Sequence, residues 1–365
     1  FIAASMSNEL SNTGKLSEFF EELKRLNIKI QRPCINECFA EFIPQEKKLL
    51  YALGAIKNVG FEAISLIINE RQKNGKFKSI SDFINRVDPK NINKLQLEGL
   101  VKAGAFDSIF DNRKALFDNI PNIIQSSKNI YENKVNNQSS LFSEDSNKIS
   151  YLVQNKNSTK WTVDESLSKE FESVGFYISN HPLNGYRDIL EQYNVKTFKS
   201  FEEGKDDESL IAGTVMSIKE KKSAKGTSFA IVKFSDLSKV FEFFLFSEIL
   251  ETSRKKLVVG KSFILTIIRD KVSSENRPRR TNIRKILSLE EATNKEYNSV
   301  YIEIDTSNNL HKLYENIKEK GDSKIKIFIE DEKKNYLFEL KEKRKFDYQT
   351  LKNLNKEQYI KKIRV

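Results

Sequence analysis

The stretch Leu53-Gly54-Ala55-Ile56-Lys57-Asn58-Val59-Gly60 decides the reading of the first half of the chain. An apolar segment runs into Lys57, Asn58 and Gly60, and a helix striped with Ala63, Ile64, Ile67 and Ile68 follows at once. Glycine adopts positive φ without steric cost, and asparagine is the residue with a side chain that tolerates it best. A tight turn of that kind, set before a helix N-terminus, presents free backbone N–H groups to an anion such as a phosphate. Contacts of this type follow a nucleic-acid backbone and ignore base identity. The pattern returns downstream, where Lys94 to Val101 reads as a helix leading into Lys102-Ala103-Gly104-Ala105. Glycine-containing turns join helices in many proteins, so one such turn says little. Two in tandem, each led by a lysine, read as a tandem helix–hairpin–helix module over 48–120. Its candidate DNA contacts are Lys57, Asn58, Val59, Gly60, Lys102, Ala103 and Gly104.

Working outward, residues 1–47 make one N-terminal piece, in which 1–42 read as a helix, a short helix and an extended exit. Leu16, Phe19, Phe20, Leu23 and Leu26 recur at helical spacing and predict one buried stripe. Pro33 pushes Arg32 out of helical geometry and ends the element. On the other side, the helical pattern breaks over 121–165, where Ser126 to Asn157 is rich in Ser, Asn, Gln and Lys, and a mobile linker is predicted. One compact apolar pair, Leu141-Phe142, sits inside it after Gln138. Residues 166–208 predict a helical connector carrying Leu167, Phe171 and Val174, then the segment Gly175 to Leu183.

From Leu210 the period switches from helix to strand. Strands are predicted at 210–219, 228–235, 239–246, 261–270 and 281–287, with a helix at 247–256. Five strands with a helix between the third and fourth give the order of an OB-fold β-barrel over 209–290. Phe229, Phe234, Phe241, Phe243, Phe244 and Phe246 stand beside Lys219, Lys221, Lys222 and Lys225, a combination that suits stacking on single-stranded DNA. Strand alternation requires about half of those rings to face the core. The loop cations Lys221, Lys222, Lys225, Arg279 and Arg280 are therefore the better-placed contacts. A small C-terminal α/β domain is expected over 291–365, with strands at 299–304, 323–330, 335–341 and 360–365 and helices at 308–319 and 348–354. The fold class is thus multidomain α+β.

Composition bounds the function classes. The 365 residues carry a net charge of +11, which favours a polyanionic partner, although the crowding of Lys, Asn and Ile also fits an AT-rich genome. Cys34 and Cys38 with the distant His181 and His311 do not form the two close pairs of a structural zinc site, so no metal is predicted. His181 has no nucleophile or carboxylate pair near it in sequence and reads as structural. Asp206-Asp207-Glu208 lacks a partner strand with a further carboxylate and is rejected as a two-metal site. No run approaches the roughly 20 apolar residues of a membrane span.

Taken in order, several segments resemble the bacterial replicative polymerases of the DNA polymerase III alpha-subunit family. Phe1-Ile2-Ala3-Ala4 through Asn12-Thr13-Gly14-Lys15 is similar to the end of the family's fingers region. Gly54 to Gly60 is close to the signature that opens its hairpin domain, and Lys76 to Phe83 and Leu100 to Ser108 continue the match. Gly175 to Leu183 resembles the segment before its OB domain. Asn180 stands where the family has Gly, and Cys34 where it commonly has Asp.

The resemblance implies that the chain is the C-terminal part of a polymerase, without the phosphoesterase-like, palm and thumb regions. In the whole enzyme a primer 3′-hydroxyl would attack a deoxynucleotide α-phosphate with two Mg2+ ions. The catalytic aspartates would precede Phe1, so this piece is expected to be inactive alone and to need no cofactor of its own. Gln138, Leu141 and Phe142 match the pentapeptide that grips the β sliding clamp. Duplex DNA would lie on the hairpins, single-stranded template on the OB domain, and the clamp-loader tau subunit on 291–365. A proofreading exonuclease would reach the enzyme through the missing N-terminal region, and the location would be cytoplasmic. Two other readings are a stand-alone nucleic-acid-binding adaptor and an anticodon-binding OB protein. The first leaves the fingers-like start without a use, and the second would need a ligase domain that the remaining residues are too few to form.

Overall fold

The computed structural model describes residues 1–365 apart from 47, 136–158, 225, 271–278 and 331–333. The chain is mixed α+β and divides into two compact units, residues 1–184 with 233–241, and residues 185–232 with 242–365.

The first unit begins with α1 (Ile2–Ser7) and α2 (Thr13–Arg25). Asn12 caps α2 by accepting from the Lys15 N–H at 3.2 Å. Leu16, Phe20 and Leu23 are buried on one face of α2, while Leu26, expected on the same stripe, is exposed because the helix ends there. Three short strands follow: β1 (Lys29–Gln31), β2 (Ile43–Gln45) and β3 (Lys48–Leu50). β3 pairs in parallel with β1 and antiparallel with β2. An extended exit was expected here, but not the pairing of its short strands into a sheet.

A run of helices then builds the larger part of the core: α3 (Phe61–Asn74), α4 (Ile80–Arg86), α5 (Lys94–Lys102), α6 (Arg113–Asp118) and α7 (Ile120–Val135). Their starts are fixed by short polar side chains. Ser79 accepts from the Asp82 N–H, Asn112 accepts from the Ala115 N–H, and Asn93 and Gln96 form a reciprocal capping box. Phe83 meets Phe77 and Phe106 edge-on, each at 5.1 Å between ring centres. The Arg71 guanidinium is buried and donates to the Ile35 and Cys38 carbonyls at 2.7 and 2.8 Å, tying α3 to the segment before β2. α7 corrects the expected start of the linker. Its composition is polar, but Ile120, Ile123 and Ser127 are buried along one side, and that stripe packs on α4, α5 and α6. After the segment 136–158 the helix Val163–Val174 starts with a second capping box, Thr162 with Glu165, and stops at Gly175 in left-handed geometry.

A five-stranded sheet contains β4 (Glu208–Lys222), β5 (Ser228–Ser235), β6 (Val240–Leu245), β7 (Ser262–Arg269) and β8 (Thr281–Ser288) in the order β6-β5-β4-β7-β8. β4 and β8 both run antiparallel to β7, with a bulge in the β7–β8 pair between Thr266 and Ile267. Among the described residues the sheet is open, with β6 and β8 as its edges, where a closed barrel was expected. A four-stranded sheet has the order β11-β10-β9-β12, from β9 (Ser299–Ile304), β10 (Lys320–Glu330), β11 (Asn335–Glu339) and β12 (Ile360–Arg364). Along β10, Ile325, Ile327 and Ile329 point inward while Lys324 and Lys326 face out, the period of two that a half-buried strand requires. Val300, Ile302, Leu313 and Phe346 belong to the same core.

Candidate nucleic-acid interface

The turn at 57–60 has the geometry that its composition predicts. Asn58 and Gly60 take φ of 65° and 78°, and Gly60 is the N-cap of α3 without any side-chain cap. Val59 is fully buried and anchors the turn, while Lys57, Asn58 and Gly60 are exposed. A Cβ added at Gly60 would meet nothing within 4 Å, so the approach to the first turn of α3 is open. Three contacts hold the turn in place. The Lys57 N–H donates to the Ser173 carbonyl at 2.9 Å, the Val59 N–H to Ile56 at 3.1 Å, and Gln96 Nε2 to the Val59 carbonyl at 2.8 Å. Gly99 on α5 lets the turn pack closely, because a Cβ there would lie 2.9 Å from the Lys57 carbonyl oxygen.

The second turn, 102–105, has the same left-handed glycine, Gly104 at φ 78°, but it is closed. Ala103 and Gly104 are buried, and the N–H groups of Ala103, Gly104 and Ala105 donate to Gly99, Val101 and Leu100. Arg113 lies over Gly104 so tightly that a Cβ there would overlap its guanidinium. That guanidinium grips Asp107 with two hydrogen bonds, 2.8 and 2.5 Å, and donates to the Lys102 carbonyl at 3.3 Å. Ala103 and Gly104, expected as phosphate contacts, are thus spent on ending α5 and seating α6. Lys102 Nζ is 3.1 Å from Glu172 and 5.4 Å from the Phe117 ring centre. Arg113 and Glu172 were not singled out by sequence, since neither adjoins the turn it meets.

On the five-stranded sheet, strand alternation sorts the phenylalanines. Phe234, Phe241 and Phe243 are buried, whereas Phe244 and Phe246 are 48% and 60% exposed. Phe229 and Phe244 stack with ring centres 6.3 Å apart and 26° between planes. These rings and Arg280 line a cavity of about 820 Å³. Lys221 and Lys222 are exposed at the end of β4, and Lys225 falls outside the described residues. Arg279 is engaged, 2.6 Å from Asp207 and donating to the Asp270 carbonyl at 2.8 Å. Asp206 pairs with Lys196 and Glu208 with Arg284. Among the described residues no group of three or more His, Cys, Asp or Glu is placed to hold a metal ion. No described helix is long and apolar enough to cross a membrane.

His181 is buried. Its Nδ1 accepts from the Leu183 N–H at 3.2 Å, which puts the proton on Nε2, 3.0 Å from Ser235 Oγ. Burial pushes the imidazole pKa down to about 4, so the ring is neutral at pH 7. Nearby, Glu170 is buried and accepts the N–H groups of Ile178 and Ser179, which shapes the Gly175–Leu183 segment. Cys34 and Cys38 are free and buried. Gln138, Leu141 and Phe142 lie outside the described residues.

Residues 27–116 match the helix-hairpin-helix motif family. The chain is 34% identical over 312 residues to DNA polymerase III subunit alpha of Borreliella burgdorferi, covering 83% of this chain and 26% of that protein. It is 32% identical over 271 residues to the protein of the same name from Caulobacter vibrioides, covering 73% and 23%. The match to that of Campylobacter jejuni is 34% over 260 residues, covering 69% and 21%. The chain spans about a quarter of the length of the curated relatives it matches.

Proposed function

The chain belongs to the bacterial DNA polymerase III alpha-subunit family over the quarter or so of its relatives' length that it spans, and from that premise we propose that it holds DNA for a replicative polymerase. The observation that carries this reading is the open turn at 57–60. Exposed Lys57, left-handed Asn58 and Gly60 and the uncapped first turn of α3 offer one phosphate a cation and backbone donors together. The duplex is gripped through its backbone, as an enzyme that copies any sequence requires. Lys102 is a secondary contact, because its turn is closed.

The strand order β6-β5-β4-β7-β8, with the helix Ser247–Ser253 following the third strand of the five, supports an OB-fold. Its exposed Phe244 and Phe246, with the half-buried Phe229, form a stacking surface for single-stranded template, with Lys221, Lys222 and Arg280 as cations along it. The pentapeptide bearing Gln138, Leu141 and Phe142 tethers the enzyme to the β sliding clamp, so that rebinding occurs at high effective concentration. Residues 291–365 face the clamp-loader tau subunit. By its family we infer that the chain serves nucleotidyl transfer with Mg2+ in the cytoplasm, with a proofreading exonuclease as a further partner of the polymerase.

The proposal is tested by titrating labelled duplexes of unrelated sequence with the chain. Similar affinities that fall steeply with salt support it; a strong preference for one sequence, or no binding at low salt, refutes it. A clamp-capture assay tests the tether separately: Leu141→Ala with Phe142→Ala abolishes capture if the pentapeptide is the grip, and leaves it unchanged if it is not.

A further inference from the structure

Glu172, in the last turn of the helix Val163–Val174, lies between Lys102 of the hairpin module and Lys169 of its own helix. Its Oε2 lies 3.1 Å from Lys102 Nζ, and its Oε1 3.0 Å from Lys169 Nζ. The residue after it, Ser173, receives the Lys57 N–H, so the same helix end rests on the first turn too. Burial alone would raise the Glu172 pKa, but the hydrogen bonds from Lys169 and Lys102 outweigh it and hold the carboxyl below its usual range. Crowding by protein draws the Lys57 ammonium below the usual lysine range, and Glu172 opposes that shift.

We propose that Glu172 is a built-in phosphate surrogate, occupying in the free protein the place that a DNA backbone phosphate takes at Lys102 and Lys169. This rests on the duplex-binding reading above. A carboxylate and a phosphate oxygen make the same charge-assisted contact to a lysine ammonium at this distance. Lys102 therefore exchanges one anion for another on binding, and its contact adds less to affinity than that of a free lysine. The pair is partly exposed, with side chains 21% and 44% accessible, so a phosphate can reach and displace the carboxylate. A surface pair of this kind is weak enough to open. The consequence is a moderated grip, which suits a protein that must let duplex slide through it.

The test measures duplex affinity of the 365-residue chain across salt, with Glu172→Gln as the main variant. Glu172→Gln is expected to bind roughly three- to fivefold more tightly near 0.1 M salt, with a log–log salt slope steeper by about 0.9 per freed contact. Lys102→Gln is expected to cost more in the Glu172→Gln background than in the wild type, a comparison that any common loss of stability leaves intact. Equal or weaker binding by Glu172→Gln, with Lys57→Glu still impaired, overturns the surrogate and leaves the duplex reading standing. If Lys57→Glu binds as the wild type does, the duplex reading fails and the surrogate fails with it.

Discussion

Gly99 on α5 lies against Lys57 in the turn before α3, close enough that a Cβ at 99 would come within 2.9 Å of the Lys57 carbonyl oxygen and 3.1 Å of Val59 Cγ2. The two hairpin segments are therefore fitted to each other through a residue without a side chain. Gly99→Ala forces backbone apart at that point. A loss on the order of 1–3 kcal/mol is expected from such overpacking, larger than the helix propensity that alanine adds. Chemical denaturation checks it: a lowered midpoint is predicted, while an unchanged or raised one means that the turn can shift freely.

The exposed rings of the five-stranded sheet separate binding from folding. Phe244→Ala and Phe246→Ala should each weaken single-stranded DNA binding by about 1–3 kcal/mol, with little change in melting temperature. Phe243 is buried in the same strand as Phe244, and Phe243→Ala should instead destabilise by about 3–5 kcal/mol. Equal effects of Phe243→Ala and Phe244→Ala on binding and on stability would contradict the assignment of faces.

His181 gives stability a pH dependence with a definite sign. Burial lowers its pKa in the folded protein from the ordinary 6.5 to about 4. Below pH 6.5 the unfolded chain takes up the proton first, so this contribution is complete above about 6.5 and declines as pH falls towards 4. The shift corresponds to about 3 kcal/mol. Denaturation midpoints measured from pH 7 to pH 4 should fall more steeply for the wild type than for His181→Gln, and parallel curves would rule the contribution out.

What the sequence made legible follows from the length of each signal. In Val240–Leu245, Phe241, Phe243 and Leu245 turn inward while Glu242 and Phe244 turn outward, and six residues are enough to show a period of two. β1, β2 and β3 have three residues each, too few to show any period, and β2 includes Pro44. α7 was obscured because its buried stripe ends in Ser127 amid Asn, Gln and Lys, so composition masked its periodicity. The first hairpin was readable because Asn58 and Gly60 state their backbone geometry directly. The second carries an equivalent glycine, but its closure depends on Arg113 and Glu172, and only tertiary packing brings them there. Local sequence reports the shape of a turn, and distant side chains decide whether that turn is available.

The central claim is that the open turn at 57–60 holds a duplex phosphate. The most direct measurement is the salt dependence of duplex binding by the wild type and by Lys57→Glu, followed by fluorescence anisotropy. Loss of one phosphate contact predicts weaker binding at low salt on every sequence tried, and a log–log slope shallower by about 0.9. An unchanged affinity with an unchanged slope would place the DNA elsewhere on the protein.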